Sequence, residues 1–109
     1  MNRGDVIWID FPGVVQTKRR PAVVLSSAAY HASRPDVIVG LVTSQTAKAT
    51  APTDHLIRDW RAAGLRVPSA FRAFIITLPA SAVVNTMGTL TPPDWAEVVA
   101  RVKLAIELT

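Results

Sequence analysis

Val37-Ile38-Val39-Gly40-Leu41-Val42, running into Thr43-Ser44-Gln45, decides the fold. The six residues before the threonine are apolar, too few for an ordinary helix and rich in β-branched side chains, so they read as a strand buried on both faces. Upstream, residues 22–26 form a second strand opened by Pro21, because proline can begin a strand but lacks the N–H to sit inside one. Residues 6–11 form a third, ended by Pro12-Gly13, with residues 14–19 as the loop between. Residues 27–35 connect the two central runs, with one helical turn over 28–32. Downstream, the polar, alanine-rich stretch 44–53 reads as a mobile loop, 55–58 as a short strand, and 59–63 as a helical turn stopped by Gly64. Residues 71–78 and 85–90 supply two further strands.

The chain closes on a helix. Thr91 is a good N-cap, Pro92 suits the first helical position, and Asp94 stands where a capping-box acid belongs. Trp95, Val98, Val99, Val102 and Ile106 then recur at helical spacing as one apolar stripe, while Glu97 and Arg101 form an i,i+4 pair on the outer side. The expected architecture is mainly β with a C-terminal helix, a small, partly closed β-barrel forming one domain over residues 1–109.

Composition narrows the function. With 109 residues, half of them hydrophobic and 18% charged, the chain can build one core without staples and is not a disordered segment. It has no cysteine, which removes disulfides, thiolate nucleophiles and zinc–cysteine sites. Its longest apolar stretch, 73–84, is broken by Thr77, Pro79 and Ser81 and falls short of the roughly 18–20 residues of a membrane span. The start lacks a signal-peptide pattern, so the expectation is a cytoplasmic protein with no membrane partner. A net charge of +4 and a pI near 10.4 are compatible with a polyanionic partner. The densest cationic cluster is Lys18-Arg19-Arg20.

Two places carry candidate chemistry. In Gln16-Thr17-Lys18-Arg19-Arg20-Pro21, the proline biases Arg20 toward extended geometry and stiffens the backbone behind its guanidinium. That group is a planar, permanently charged donor fork matched to a phosphate. In Thr43-Ser44-Gln45, two hydroxyls and an amide leave a buried strand, with Thr43 on the face of Val37, Val39 and Leu41 and Ser44 on the other. Alone, a basic loop is usually a solvated surface and a strand-end threonine usually forms a turn. His31 and His55 lack a partner motif and do not make a metal site, so no cofactor is expected. Of the tryptophans, Trp95 belongs to the helix stripe, and Trp60 is the one expected to be exposed for stacking on a base.

These residues resemble a known family. Arg3-Gly4-Asp5-Val6, the strand Arg19-Arg20-Pro21-Ala22-Val23-Val24-Leu25-Ser26, the run from Val37 to Gln45, and Pro68-Ser69-Ala70-Phe71-Arg72 with Thr77-Leu78 are similar, in order, to segments of the MazF/PemK toxins. Asp94-Trp95 suits the C-terminal helix of that family. The resemblance implies an SH3-like barrel of the MazF/CcdB type that pairs as a homodimer and is silenced by a cognate antitoxin. It implies a metal-independent endoribonuclease that cuts single-stranded RNA at short sequences, leaving 2′,3′-cyclic phosphate and 5′-hydroxyl ends. Carried over by position, its catalytic arginine is Arg20 and its catalytic threonine Thr43, with Gln16, Thr17, Lys18, Arg19, Ser44 and Gln45 binding RNA. It also implies a proton-transfer role for the arginine. The chain departs from the pattern at Val14 and Val15, where family members often carry an acidic residue, and at Phe74. Two other functions fit the same architecture, a CcdB-like gyrase-binding toxin and a non-catalytic RNA-binding barrel. The CcdB tail Trp-Gly-Ile is missing, since the chain ends Ile106-Glu107-Leu108-Thr109.

Overall fold

The apolar run lies at the centre of a six-stranded antiparallel sheet in a computed structural model, which describes residues 1–11 and 18–107. In chain order the elements are β1 (Asp5–Phe11), β2 (Lys18–Val24), α1 (Ala28–Ser33), β3 (Asp36–Thr43), β4 (Asp54–Leu56), β5 (Ala70–Pro79), β6 (Val83–Thr89) and α2 (Pro92–Ile106). Single 3₁₀ turns occupy Thr46–Lys48 and Ala80–Ala82. The strand order is β4-β5-β3-β2-β1-β6. Among the described residues β4 and β6 are therefore the outer strands, and the sheet of the expected partly closed barrel is not closed. Register shifts in the β1–β6 and β3–β5 pairs supply the bends that such bulges impose, but they do not bring the edges together.

Both faces of this sheet are covered. Neighbouring residues on β1 and β2 alternate between two buried clusters, with Val6 and Val23 in one and Ile7, Ile9, Ala22 and Val24 in the other. Strand side chains alternate in direction, so the clusters lie on opposite faces. The first also takes in Val42, Phe71 and Val98 of α2, and the second Val37, Val39 and Leu78. Burying a valine or isoleucine side chain stabilises by about 1.5–3 kcal/mol, so the continuous apolar run at 37–42 is what allows β3 to face two cores. Gly40 is part of that fit. A Cβ there would run into the ring of Phe71, which is itself fully buried.

The basic segment differs most from expectation. Lys18 and Arg19 are strand residues rather than loop; they and Arg20 pair with Phe11, Asp10 and Ile9, and Pro21 sits inside β2 opposite Trp8. The reason is the neighbouring ladder. β3 pairs with β2 only from Ala22 onward, so at Pro21 the strand has a partner on one side alone, and an edge tolerates proline. The turn expected at Pro12-Gly13, the departures at Val14 and Val15, and the candidates Gln16 and Thr17 lie outside the described residues.

α2 begins as expected, with Thr91 at the N-cap position and Pro92 at the first turn. Its stripe buries Val98 fully and Trp95, Val99 and Val102 partly, and then runs past the sheet, leaving Ile106 exposed. Arg101 is not purely outward: it pairs with Glu97 at 2.9 Å and its Nε donates to the carbonyl of Asp54 in β4. The Arg3-Gly4-Asp5 motif is structural. Gly4 takes φ +87° beneath the Trp95 ring, and the Asp5 carboxylate accepts from the Asn2 N–H and the Thr89 hydroxyl.

Between β4 and β5, residues 58–64 make the expected helical turn, ended by Gly64 at φ +87°. A Cβ on Gly64 would strike the main-chain carbonyl of Met87 in β6. Replacing Gly64 by alanine is expected to destabilise the fold by about 1–3 kcal/mol from backbone strain, before any displacement of β6. Urea unfolding of the variant beside the parent protein measures it.

Candidate active site

Where the core beneath α2 runs out, at the ends of β2 and β3, a pocket of about 320 Å³ opens to solvent. Its apolar lining is Trp8, Val42, Leu65, Val67 and Met87, with Pro21 at the β2 end. Val42 and Leu65 are buried members of the core and Met87 packs against it, so the base of the pocket is as firm as the core itself. Its polar lining comes from Arg19 and Arg20 of β2, from Thr43, Ser44 and Gln45 at the exit of β3, and from Arg66 and Ser69 of the segment leading into β5. Among the described residues the lining contains no carboxylate and no histidine. A concave site furnished with guanidinium, hydroxyl and amide donors and lacking acidic groups is suited to an anion such as a phosphodiester.

The cations differ in how far they are compensated. Arg19 donates from Nε to Asp10 at 3.1 Å, an exposed pair of little energetic weight that nonetheless partly answers its charge. Among the described residues, neither Arg20 nor Arg66 has a carboxylate within ion-pair distance. Arg20 is half-buried, held between the β1 ladder at Ile9 and the rigid Pro21. The Thr43 hydroxyl oxygen accepts from the Gln45 N–H at 3.1 Å. That bond fixes the turn out of β3 and leaves the hydroxyl proton available to a ligand.

Of the residues singled out in the sequence, Arg19, Arg20, Thr43, Ser44 and Gln45 line this one pocket. Lys18 is exposed at the start of β2 and is not part of the lining. The aromatic residue at the pocket is Trp8; Trp60 packs against the core and carries the Arg61 guanidinium 4.7 Å over its ring. His31 is paired with Ser26 beside α1 at 2.6 Å. Sequence reasoning ranked Trp60 above Trp8 as the stacking residue, and it missed Arg66. A signal for Arg66 existed in Gly64-Leu65-Arg66-Val67-Pro68-Ser69, a cation framed by glycine and proline much as Arg20 is framed by Pro21.

The segment bearing Arg66 is held by a buried carboxylate. Asp94, fully buried, accepts from the backbone N–H groups of Arg58 and Asp59 at 3.0 and 2.9 Å and from His55 Nε2 at 2.8 Å. It is thus not a capping-box acid. Its side chain turns inward to cap the 58–64 turn, because those two N–H groups lie beneath the helix start while its own first turn is left to Pro92 and Pro93. Burial alone would raise its pKa. The N–H donors of Asp59 and Arg58, followed by His55, more than offset this and hold the carboxyl below the usual aspartate value.

The sequence profile of one family, described as PemK-like, MazF-like toxin of type II toxin-antitoxin systems, matches residues 2–106. The chain belongs to this family. Solved structures share the MazF-like fold over nearly their full length. An endoribonuclease in complex with its cognate antitoxin from a Mycobacterial species superposes with a TM-score of 0.82 at 21% identity, covering 100% of this chain and 97% of that one. A MazE–MazF complex from Deinococcus radiodurans superposes at 0.77 with 20% identity, covering 100% and 97%. MazF alone from the same organism gives 0.77 at 24% identity, covering 99% and 97%. No curated protein sequence matches the chain. No helix among the described residues of this MazF-like toxin is long and apolar enough to cross a membrane.

The lowered pKa of Asp94 has a definite sign. Its ionised form contributes stability above the ordinary aspartate range, about pH 3.9, and that contribution is lost as pH falls through the folded value. Asp94→Asn is expected to cost about 3 kcal/mol at neutral pH and to flatten the acid side of the stability profile. Thermal melts between pH 7 and pH 3 read both effects.

Proposed function

We propose that this protein is the toxin of a type II toxin–antitoxin pair and a sequence-specific, metal-independent endoribonuclease acting on single-stranded RNA. The reading rests on one observation: Arg20 and Thr43 line the same anion-suited pocket. Family membership supports it, as does the description of a structurally similar protein as an endoribonuclease bound to its cognate antitoxin.

In the proposed reaction the RNA 2′-hydroxyl loses its proton and its oxygen bonds to phosphorus. The bond to the 5′-oxygen breaks, and that oxygen takes up a proton. The products carry a 2′,3′-cyclic phosphate and a 5′-hydroxyl. Negative charge accumulates on the non-bridging oxygens in between, and a fixed guanidinium in a partly dry pocket is suited to stabilise it. Arg20 supplies this charge; as a group that hardly deprotonates, it acts by electrostatics rather than as a base. Thr43 donates its free hydroxyl proton to the phosphate while its oxygen stays bonded to Gln45. Ser44 and Gln45 extend that donor row, Arg19 meets the backbone of the strand, and Trp8 offers an aromatic surface to a base. Gln16, Thr17 and Lys18 are the further RNA-binding residues in this reading, carried over from the family motif.

The proposal includes a homodimer and an antitoxin that covers the pocket. Leu56, Phe74, Val84, Leu104 and Ile106 are large apolar residues left about half exposed on the single chain, and a two-fold interface would cover such surface. Sedimentation at micromolar concentration is expected to give twice the chain mass, and a monomer there would remove this part of the proposal.

Catalysis is checked by RNA cleavage in excess EDTA. The parent protein is expected to cut, with products that a ligase requiring 3′-hydroxyl and 5′-phosphate ends cannot join until the cyclic phosphate is removed and the 5′-hydroxyl phosphorylated. Arg20→Ala is expected to lower the rate by on the order of 10²–10³. Thr43→Ser keeps both hydroxyl functions and should retain most activity, whereas Thr43→Val should lose it. Undiminished cleavage by the arginine variant would sink the mechanism, and gyrase arrest without RNA fragments would favour the CcdB-like alternative.

A further inference from the structure

Beside the Arg20–Thr43 wall, the pocket has a third cation, one to which the family motifs give no role. Arg66 is exposed and, among the described residues, has no carboxylate partner, unlike Arg19, Arg72 and Arg101. An unanswered guanidinium on a loose loop would mean little, but its backbone is fixed on both sides. Before it, Leu65 is buried and its N–H donates to the Trp60 carbonyl at 3.0 Å. Gly64 beside it lies against the Met87 backbone. After it, Ser69 is buried, its hydroxyl donates to the Val67 carbonyl at 2.9 Å, and its own carbonyl accepts from the Ile57 N–H at 3.0 Å. The turn that leads into this segment is tied down by the Asp94 carboxylate. A flexible cationic side chain is thus mounted on a rigid base at the mouth of a pocket, the arrangement that preorganised binding requires.

We propose that Arg66 is a substrate-binding residue that engages a backbone phosphate of the RNA strand other than the one being cleaved. The assignment rests on the pocket being the RNA site. Arg20 is half-buried beside the Thr43 hydroxyl, where the reacting phosphate belongs. Arg66 stands in solvent on the segment that enters β5 beside Thr43, so the two guanidinium groups are suited to different phosphates of one strand. Such a contact holds substrate and transition state equally, and therefore acts on KM and leaves kcat alone. Being an exposed ion contact, it also adds to the salt dependence of binding.

The experiment measures binding of a 2′-O-methyl oligonucleotide, which cannot be cleaved, to the parent protein, Arg66→Gln and Arg66→Lys across a range of salt. Cleavage kinetics of unmodified RNA are followed in parallel. Arg66→Gln is expected to weaken binding about tenfold and to lower the slope of log affinity against log salt by about 0.7, one phosphate contact to a single strand. Arg66→Lys should keep the slope. In cleavage, Arg66→Gln should raise KM with kcat within about twofold of the parent, and its melting temperature should match, since the side chain is exposed. Parent-like affinity and slope in Arg66→Gln would overturn the assignment while leaving the nuclease reading intact, as would a fall in kcat at unchanged KM. A parent protein that neither binds the oligonucleotide nor cleaves RNA would overturn both.

Discussion

One buried carboxylate joins three parts of the chain that are distant in sequence. Asp94 opens α2, receives His55 from β4, and accepts the N–H groups that start the turn after β4. An ionised group without solvent contact is tolerable only when its lone pairs are answered, and here they are. Removing any one donor would leave the charge partly unsatisfied, so the helix, the edge strand and the turn hold their relative positions together. The turn that leads toward Arg66 takes its placement from this junction.

The other side is positioned by different means. Arg20 and Thr43 stand at the ends of β2 and β3, central strands whose buried valines belong to two cores. Their geometry follows from sheet register and from a proline, with no buried charge involved. The pocket is consequently a meeting of two walls, joined where Thr43 pairs with Ala70, over a base of core side chains. A site of that construction tolerates change at its rim, because neither wall depends on the rim residues for its own stability.

The strands were readable because their apolar runs and turn punctuation are local signals. The extent of 37–42, the helix from Thr91 and the stop at Gly64 all follow from such signals. What could not be read depends on partners far along the chain. Pro21 looks like a strand opener until one knows that β3 stops pairing beside it, and Asp94 looks like its own helix's cap until the turn at 58–59 comes to lie beneath it. Closure of the sheet is a similar case. It turns on whether β4 and β6 meet, which no local pattern encodes. For the site, Arg20 and Thr43 were legible from motif and strand position, while Trp8 and Arg66 enter the lining only through the curl of β1 and the fixed path of the 65–69 segment.

The unpaired side of β2 at Lys18 to Pro21 has a bearing on solubility as well. An exposed strand margin is an invitation to pair with another molecule and to grow aggregates. Here the margin carries adjacent positive charges, which repel an identical neighbour, and ends in a residue that cannot donate to a foreign ladder. The features that leave room for a ligand therefore also discourage sheet extension, so the protein can keep an open edge without that edge becoming sticky.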